Sequence, residues 1–147
     1  MEVKVKKVNP NAVVPFKTYE KDFCYDCVAT SCEEIAPNVY KYGIGLAFEI
    51  SIGKKYSGLN VSIDARPRSS VWKTGMILSN CEGTIDELYR GEVSAVFYHV
   101  MKDMPKYEVG DKIIQIKLGL TEPISFVEVE ELSDTERGES GYGSTGK

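Results

Sequence analysis

A chain of 147 residues is the size of one domain, long enough to bury a core without staples. Its 42% hydrophobic and 27% charged residues are ordinary for a soluble globular protein, and no run nears the ~18 apolar residues of a membrane span. The net charge of −4 argues against a nucleic acid partner, which favours a basic face, but leaves room for a polyphosphate met by a few local cations.

The chain opens on Met1-Glu2-Val3-Lys4-Val5-Lys6-Lys7, which lacks the apolar run of a signal peptide. The expected compartment is the cytoplasm, or the interior of a host cell if the gene is viral. Val3 and Val5 alternate with Lys4 and Lys6 as in a half-buried strand. Four cysteines follow, Cys24, Cys27, Cys32 and Cys81, suited to a reducing compartment as free thiols. Cys24-x-x-Cys27 invites a zinc or redox reading. A zinc site recruiting Cys32 and Cys81 would match no common ribbon or knuckle spacing, and no βαβ unit is present to carry a redox pair. Alternation would send the two thiols to opposite sides of a strand.

Period-two alternation continues along the chain. Leu46, Phe48, Ile50 and Ile52 mark one strand, Leu59, Val61 and Ile63 another. Arg66 to Gly75 breaks the pattern and reads as a helix of one or two turns, with Pro67 and Ser69 in its first turn and Gly75 as its stop. Such a helix start, with Arg66, Arg68, Ser69 and Ser70 beside it, suits a phosphate, and suits a capped connector as well.

Met76-Ile77-Leu78 leads into Asn80-Cys81-Glu82-Gly83-Thr84-Ile85-Asp86-Glu87-Leu88-Tyr89-Arg90-Gly91, and Val93, Ala95 and Phe97 lead out. The segment reads as a hairpin with glycines at its bends. Its backbone could meet a flat heterocycle, and Asp86 could orient water as a general base. The same residues also suit a turn-capping aspartate and a packed tyrosine. His99, the single histidine, reads as a satisfied strand-end residue. Ile114, Ile116 and Leu118 form a last alternating run, with Asp111 in the turn before it and Gln115 within it.

Many short strands without βαβ spacing predict an antiparallel sandwich or barrel. From Ser133 the composition turns to Asp, Glu, Arg, Ser and Gly, with Tyr142 its only large side chain. Glycines here could curl amides around phosphate, Arg137 could pair with it, and Tyr142 could stack on a base. A solubilising tail is the plainer reading.

In order and spacing these pieces resemble the five motifs of the trimeric dUTPase family, over a stretch from about Pro15 to the C-terminus. Asp22 with its neighbours is similar to the first and Pro67-Arg68-Ser69-Ser70 to the second. Gly83 to Gly91 is similar to the third, Gly110 to Gln115 to the fourth, and Arg137 to Gly146 to the fifth. The resemblance implies an all-β fold, a distorted jelly-roll barrel or sandwich with one short helix, assembled as a homotrimer. Residues 1–132 would form the barrel, and 133–147 a Gly-rich arm closing a neighbouring active site.

The implied reaction splits dUTP into dUMP and pyrophosphate, with Asp86 activating the water that attacks the α-phosphate. Mg²⁺ would be held by the triphosphate and water, with Asp22 reaching it at most through water. Arg68, Ser69, Gln115 and Arg137 would contact phosphates. Asn80, Gly83, Ile85 and the hairpin backbone would read uracil, Tyr89 would pack under the deoxyribose, and Tyr142 would stack on the base. Ser70, Gly141, Gly143 and Ser144 would complete the substrate contacts. The first motif usually reads small-Gly-x-Asp-Leu, whereas Glu20-Lys21-Asp22-Phe23 stands here.

Two other readings share the resemblance. A dCTP deaminase of the same fold needs a glutamate base where Val96 falls, and valine cannot shuttle protons. A catalytically silent nucleotide-binding regulator would bind without turnover.

Overall fold

The computed structural model describes residues 2–51 and 53–141. Ten strands carry the described chain: β1 (Glu2–Lys7), β2 (Tyr25–Val28), β3 (Ser31–Ala36), β4 (Val39–Gly43), β5 (Leu46–Ser51), β6 (Asn60–Pro67), β7 (Met76–Leu78), β8 (Gly83–Asp86), β9 (Ser94–His99) and β10 (Lys112–Thr121). Among the described residues the only helical pieces are 3-10 turns at Lys54–Tyr56 and Val71–Thr74, and no helix is long and apolar enough to cross a membrane.

Two four-stranded antiparallel sheets, ordered β2-β10-β6-β8 and β3-β4-β9-β7, supply the two sides of a jelly-roll sandwich, with β1 and β5 paired as a short ribbon. Alternation decides which side chains go inside. Ile63 and Ala65 of β6 join Ile114 and Ile116 of β10 in one core with Tyr42, Met76, Leu78, Ala95 and Phe97 of the other sheet. The Tyr42, Phe97 and Tyr107 rings meet edge to face, and the buried Tyr42 hydroxyl donates to the Tyr107 carbonyl at 2.7 Å.

The outward face of β6 and β10 is polar and closely packed. Asp64 pairs with Lys117 and accepts the Ser62 hydroxyl at 2.8 Å. A Cβ at Gly119 would lie 2.6 Å from Ser62 Oγ and 2.8 Å from Asp64 Oδ2, so the glycine leaves space for this cluster. Burial opposes ionisation of Asp64, yet the hydrogen bonds from Lys117 and Ser62 and the Lys117 charge outweigh it and hold the carboxyl below its usual range.

Two sequence expectations change here. Arg66 and Pro67 are the last residues of β6, where Arg66 pairs with Gln115 across the ladder, so helix does not begin there. A residue before proline is driven to extended backbone, and the helical part shrinks to one 3-10 turn. Its stop at Gly75 is as expected, in the left-handed region at φ 60. The segment from Met76 to Phe97 is likewise no simple hairpin. β7 does pair with β9, but the chain between them crosses to the opposite sheet and pairs as β8 with β6.

The cysteines are free. Cys27 is buried in the core, where desolvation pushes its thiol up to about 12, while Cys24 is half-buried on the outer side. His99 ends β9, and its Nε2–H donates to the Met104 carbonyl at 2.9 Å. Ile52 lies outside the described residues.

Candidate active site

Two cavities carry the residues that the sequence singles out. The first, about 220 Å³, is walled by Asn80, Gly83, Thr84, Ile85, Asp86 and Tyr89 on one side and by Glu92, Val93, Ser94 and Ala95 on the other. β8 makes its wall by pairing with β6 in the register Ser62↔Asp86 to Ala65↔Gly83. Asp86 ends that strand, exposed, and its carbonyl accepts the Tyr89 N–H at 3.0 Å to close the turn. Arg66 holds Glu82 at 2.6 Å and ties the preceding turn to β6.

The Tyr89 ring is folded back over the chain. Its hydroxyl donates to the Glu92 carbonyl at 3.1 Å, and a Cβ at Gly91 would sit 2.3 Å from that hydroxyl. Glycine at position 91 is therefore what lets the ring lie down as a flat floor. Glu92 lines the cavity, but its Oε1 accepts the Gly45 N–H at 2.8 Å. It serves as a clasp between loops, and the neighbouring Val96 has no acid–base group.

The second cavity, about 370 Å³, is lined by Asp22, Cys24, Asp26, Arg68, Ser69 and Gln115, with Lys17 to Tyr19 and Phe23 at its rim. Three strands align its polar groups, since Gln115 of β10 lies opposite Asp26 of β2 on one side and Arg66 of β6 on the other. Arg68 grips Asp26 with two nitrogens, Nε at 2.9 Å and Nη2 at 3.5 Å, and its Nη1 donates to Ser70 Oγ at 3.4 Å. Lys112 reaches the same carboxylate at 3.1 Å. Gln115 Nε2 donates to the Pro67 carbonyl at 3.1 Å.

Asp26 is the functional candidate missing from the sequence reading. Asp22 spends Oδ2 on the Tyr19 N–H at 2.9 Å and closes a surface turn. Asp26, with a side chain only 14% exposed, is the acid that faces Arg68. A shift of four residues places Phe23-Cys24-Tyr25-Asp26-Cys27 on the small-Gly-x-Asp-Leu pattern, with Cys24 at the glycine. Tyr25-Asp26 ahead of Ala29 was the available signal.

Of the remaining candidates, Arg137 and Gly141 line neither cavity. The Arg137 Nε donates to the Ser140 carbonyl at 3.0 Å within a local turn. Tyr142, Gly143 and Ser144 lie outside the described residues. The sheets end at Thr121. Beyond it Ile124, Phe126, Val127, Val129 and Leu132 are all exposed, Phe126 at 92%. Among the described residues no three His, Cys, Asp or Glu side chains converge to cage a metal.

Asp86 and Arg68 stand apart on one subunit. Asp86 is opposite Ser62, and Arg68 is six residues further along, roughly 20 Å at a strand's rise of about 3.3 Å per residue. An exposed carboxylate on one cavity and an arginine held by an aspartate on the other, both on a jelly roll, suit a protein that handles a small polar ligand.

The dUTPase family profile matches residues 11–146. The chain is similar to the deoxyuridine 5'-triphosphate nucleotidohydrolase of Nautilia profundicola, at 36% identity over 100% of both chains. In structure it is similar to the Staphylococcus bacteriophage 80alpha dUTPase with dUpNHpp (TM-score 0.78, 23% identity, 99% of each chain). It is also similar to a mutant dUTPase from phage phi11 of S. aureus, whose structure describes coordination of a structural Mg(II) ion (TM-score 0.68, 18% identity, 91% of this chain and 100% of that one). The chain belongs to the dUTPase family.

Proposed function

We propose that the protein hydrolyses dUTP to dUMP and pyrophosphate by attack of water on the α-phosphorus, with Asp86 as the group that orients and deprotonates that water. The observation that carries the reading is the exposed Asp86 carboxylate at the end of β8, on a cavity that it lines together with Asn80, Ile85 and Tyr89. A carboxylate so placed can accept a proton from a water held over the sugar phosphate. Uracil would be read by Asn80 and the backbone from Gly83 to Ile85, whose donors and acceptors are fixed by the ladder to β6. Cytosine, with a mismatched polar edge, would leave them unpaired. Tyr89 would pack under the deoxyribose.

The phosphates would lie against Arg68, Ser69, Ser70 and Gln115. Mg²⁺ bound to the triphosphate would offset charge on the leaving pyrophosphate. The donor set suits an ion held by phosphate and water. Asp22 already serves a backbone N–H and Asp26 serves two cations, so the carboxylates here would reach such an ion through water. Of the two, we assign the acid of the first motif to Asp26.

The spacing of Asp86 and Arg68 along β6 supports a homotrimer with shared sites. A gap of roughly 20 Å is too long for the triphosphate of one nucleotide to meet Asp86 and Arg68 of the same subunit, so a second copy would complete each site. The exposed apolar run from Ile124 to Leu132 suits packing on a neighbouring copy, which would deliver Arg137, Gly141 and the residues to Ser144, with Tyr142, to that neighbour's site as a closing arm. On this view residues 133–147 act as the arm. Free cysteines suit the reducing interior of a cell, where the substrate is found.

Pyrophosphate release from dUTP with Mg²⁺, measured beside dCTP, dTTP and UTP, tests the reading. Turnover of dUTP well above the other three is expected. Binding without turnover would assign a silent regulator, and ammonia release from dCTP would assign a deaminase.

A further inference from the structure

The second cavity holds a charge arrangement that the reaction as described does not use. Asp26 is shared: Arg68 Nε lies 2.9 Å from Oδ1, and Lys112 Nζ lies 3.1 Å from Oδ2. Lys112 does not line the cavity. Its ammonium lies over the Phe16 ring, 4.7 Å from the centroid, and also donates to Thr18 Oγ1 at 3.5 Å. The Asp26 backbone is pinned from the same side, by N–H to carbonyl bonds with Phe16 of 2.7 and 3.2 Å in both directions. Carboxylate and lysine are therefore fixed by one piece of framework, whereas Arg68 follows the end of β6, 31% exposed.

The arrangement presents a problem for an incoming anion. Arg68 must give phosphate the nitrogens that it now gives Asp26, and an unpaired, largely buried carboxylate is costly. With Lys112 present, Asp26 keeps a cation when Arg68 turns away. The three charges also sum to a surplus of one positive, while Lys17 and Asp22 on the cavity wall offset one another.

Resting on the function proposed above, we infer that Lys112 is a positioning residue for the phosphate side of the site. It retains the Asp26 carboxylate so that Arg68 is free to exchange that carboxylate for a substrate phosphate. Without the ammonium, Arg68 becomes Asp26's only partner in the cluster and the local surplus falls to zero. The consequence is a loss of affinity for phosphate rather than of chemistry, because Lys112 touches no reacting atom.

The test compares the wild type, Lys112→Met and Lys112→Arg in pyrophosphate release from dUTP with Mg²⁺, with deoxyuridine as a competitive inhibitor that carries no phosphate. Lys112 opens β10, so Lys112→Gln is measured alongside, at a temperature where circular dichroism shows all variants folded. The expected result is a KM for dUTP raised about tenfold in Lys112→Met, the scale of one hydrogen bond to a charged group. Turnover number and the deoxyuridine inhibition constant should stay within about twofold, and Lys112→Arg should return KM to near the wild-type value. An unchanged KM in folded Lys112→Met and Lys112→Gln would overturn the inference, as would an equal loss for deoxyuridine or a loss that arginine does not repair. If the wild type itself leaves dUTP intact, the proposed function fails first, and that outcome is distinct from all of these.

Discussion

Gly91→Ala should damage the site while leaving the fold almost intact. A methyl group at position 91 would lie 2.3 Å from the Tyr89 hydroxyl oxygen, 2.5 Å from Cζ and 3.0 Å from Cε2. Ordinary contact needs well over 3 Å, so the ring must retreat by about 1 Å or more. The retreat breaks the bond from the hydroxyl to the Glu92 carbonyl. Tyr89 is 48% exposed and can swing into solvent, so the stability cost should be about 1 kcal/mol or less, the scale of one exposed hydrogen bond. The site has no such freedom, because a substrate displaced by about 1 Å can lose on the order of 10²-fold in rate. Steady-state pyrophosphate release should show kcat/KM for dUTP down by about 10- to 100-fold, and discrimination against UTP should narrow as the floor under the sugar is lost. Thermal unfolding should stay within about 3 °C of the wild type. A Gly91→Ala protein with unchanged kcat/KM and unchanged preference for dUTP would refute the role given to the Tyr89 floor.

Three further outcomes follow from the fold. Gly75→Ala places a side chain in the left-handed region and 2.5 Å from the Met101 carbonyl oxygen. Calorimetry should record a loss of about 2 kcal/mol or more, and a change below about 0.5 kcal/mol would contradict it. Asp64 is held below its usual range in the folded state, so its contribution is present above the unfolded pKa of about 3.9 and is lost as pH falls through the lower folded value. Unfolding between about pH 2 and 5 should accordingly be less acid-sensitive in Asp64→Asn than in the wild type, and parallel profiles would exclude this pair as a contributor. For the proposed homotrimer, ending the chain before Arg137 should abolish turnover and leave the assembly, whereas ending it after Thr121 should also remove Ile124 to Leu132 and with them the assembly, read by sedimentation. An unaltered trimer in the shorter chain would show that this apolar run has no partner in another copy.

Alternation made five strands legible, namely β1, β5, β6, β9 and β10, because apolar residues recur at every second position in each. It failed for β3, Ser31–Ala36, whose residues are almost all exposed, so nothing in its composition alternates. Asn38, at φ 62, was the local sign of the turn that joins β3 to β4. The crossing of β8 to the opposite sheet was hidden for another reason. Met76-Ile77-Leu78 and the run from Val93 do flank a paired unit, and only the pairing of Ser62 with Asp86 reveals that the chain between them leaves it.

The site divides along the same line. Asp86, Tyr89 and Gly91 act within six residues of one another, and their spacing is readable. Asp26 and Arg68 are 42 residues apart and meet through the register of three strands. A carboxylate flanked by Tyr25 and Cys27 carries no local mark of that meeting. Asp22, in a polar loop, looks more available on sequence than Asp26 and is instead spent on the Tyr19 N–H.

The central claim is that the Asp86 carboxylate handles the attacking water, and Asp86→Asn tests it most directly. The amide keeps the shape and loses the base. Rapid-quench measurement of pyrophosphate from dUTP with Mg²⁺ should show the rate of the chemical step lowered by about 10²–10⁴-fold, with affinity for the non-hydrolysable analogue dUpNHpp within a few-fold of the wild type. A chemical step within a few-fold of the wild type would contradict the account.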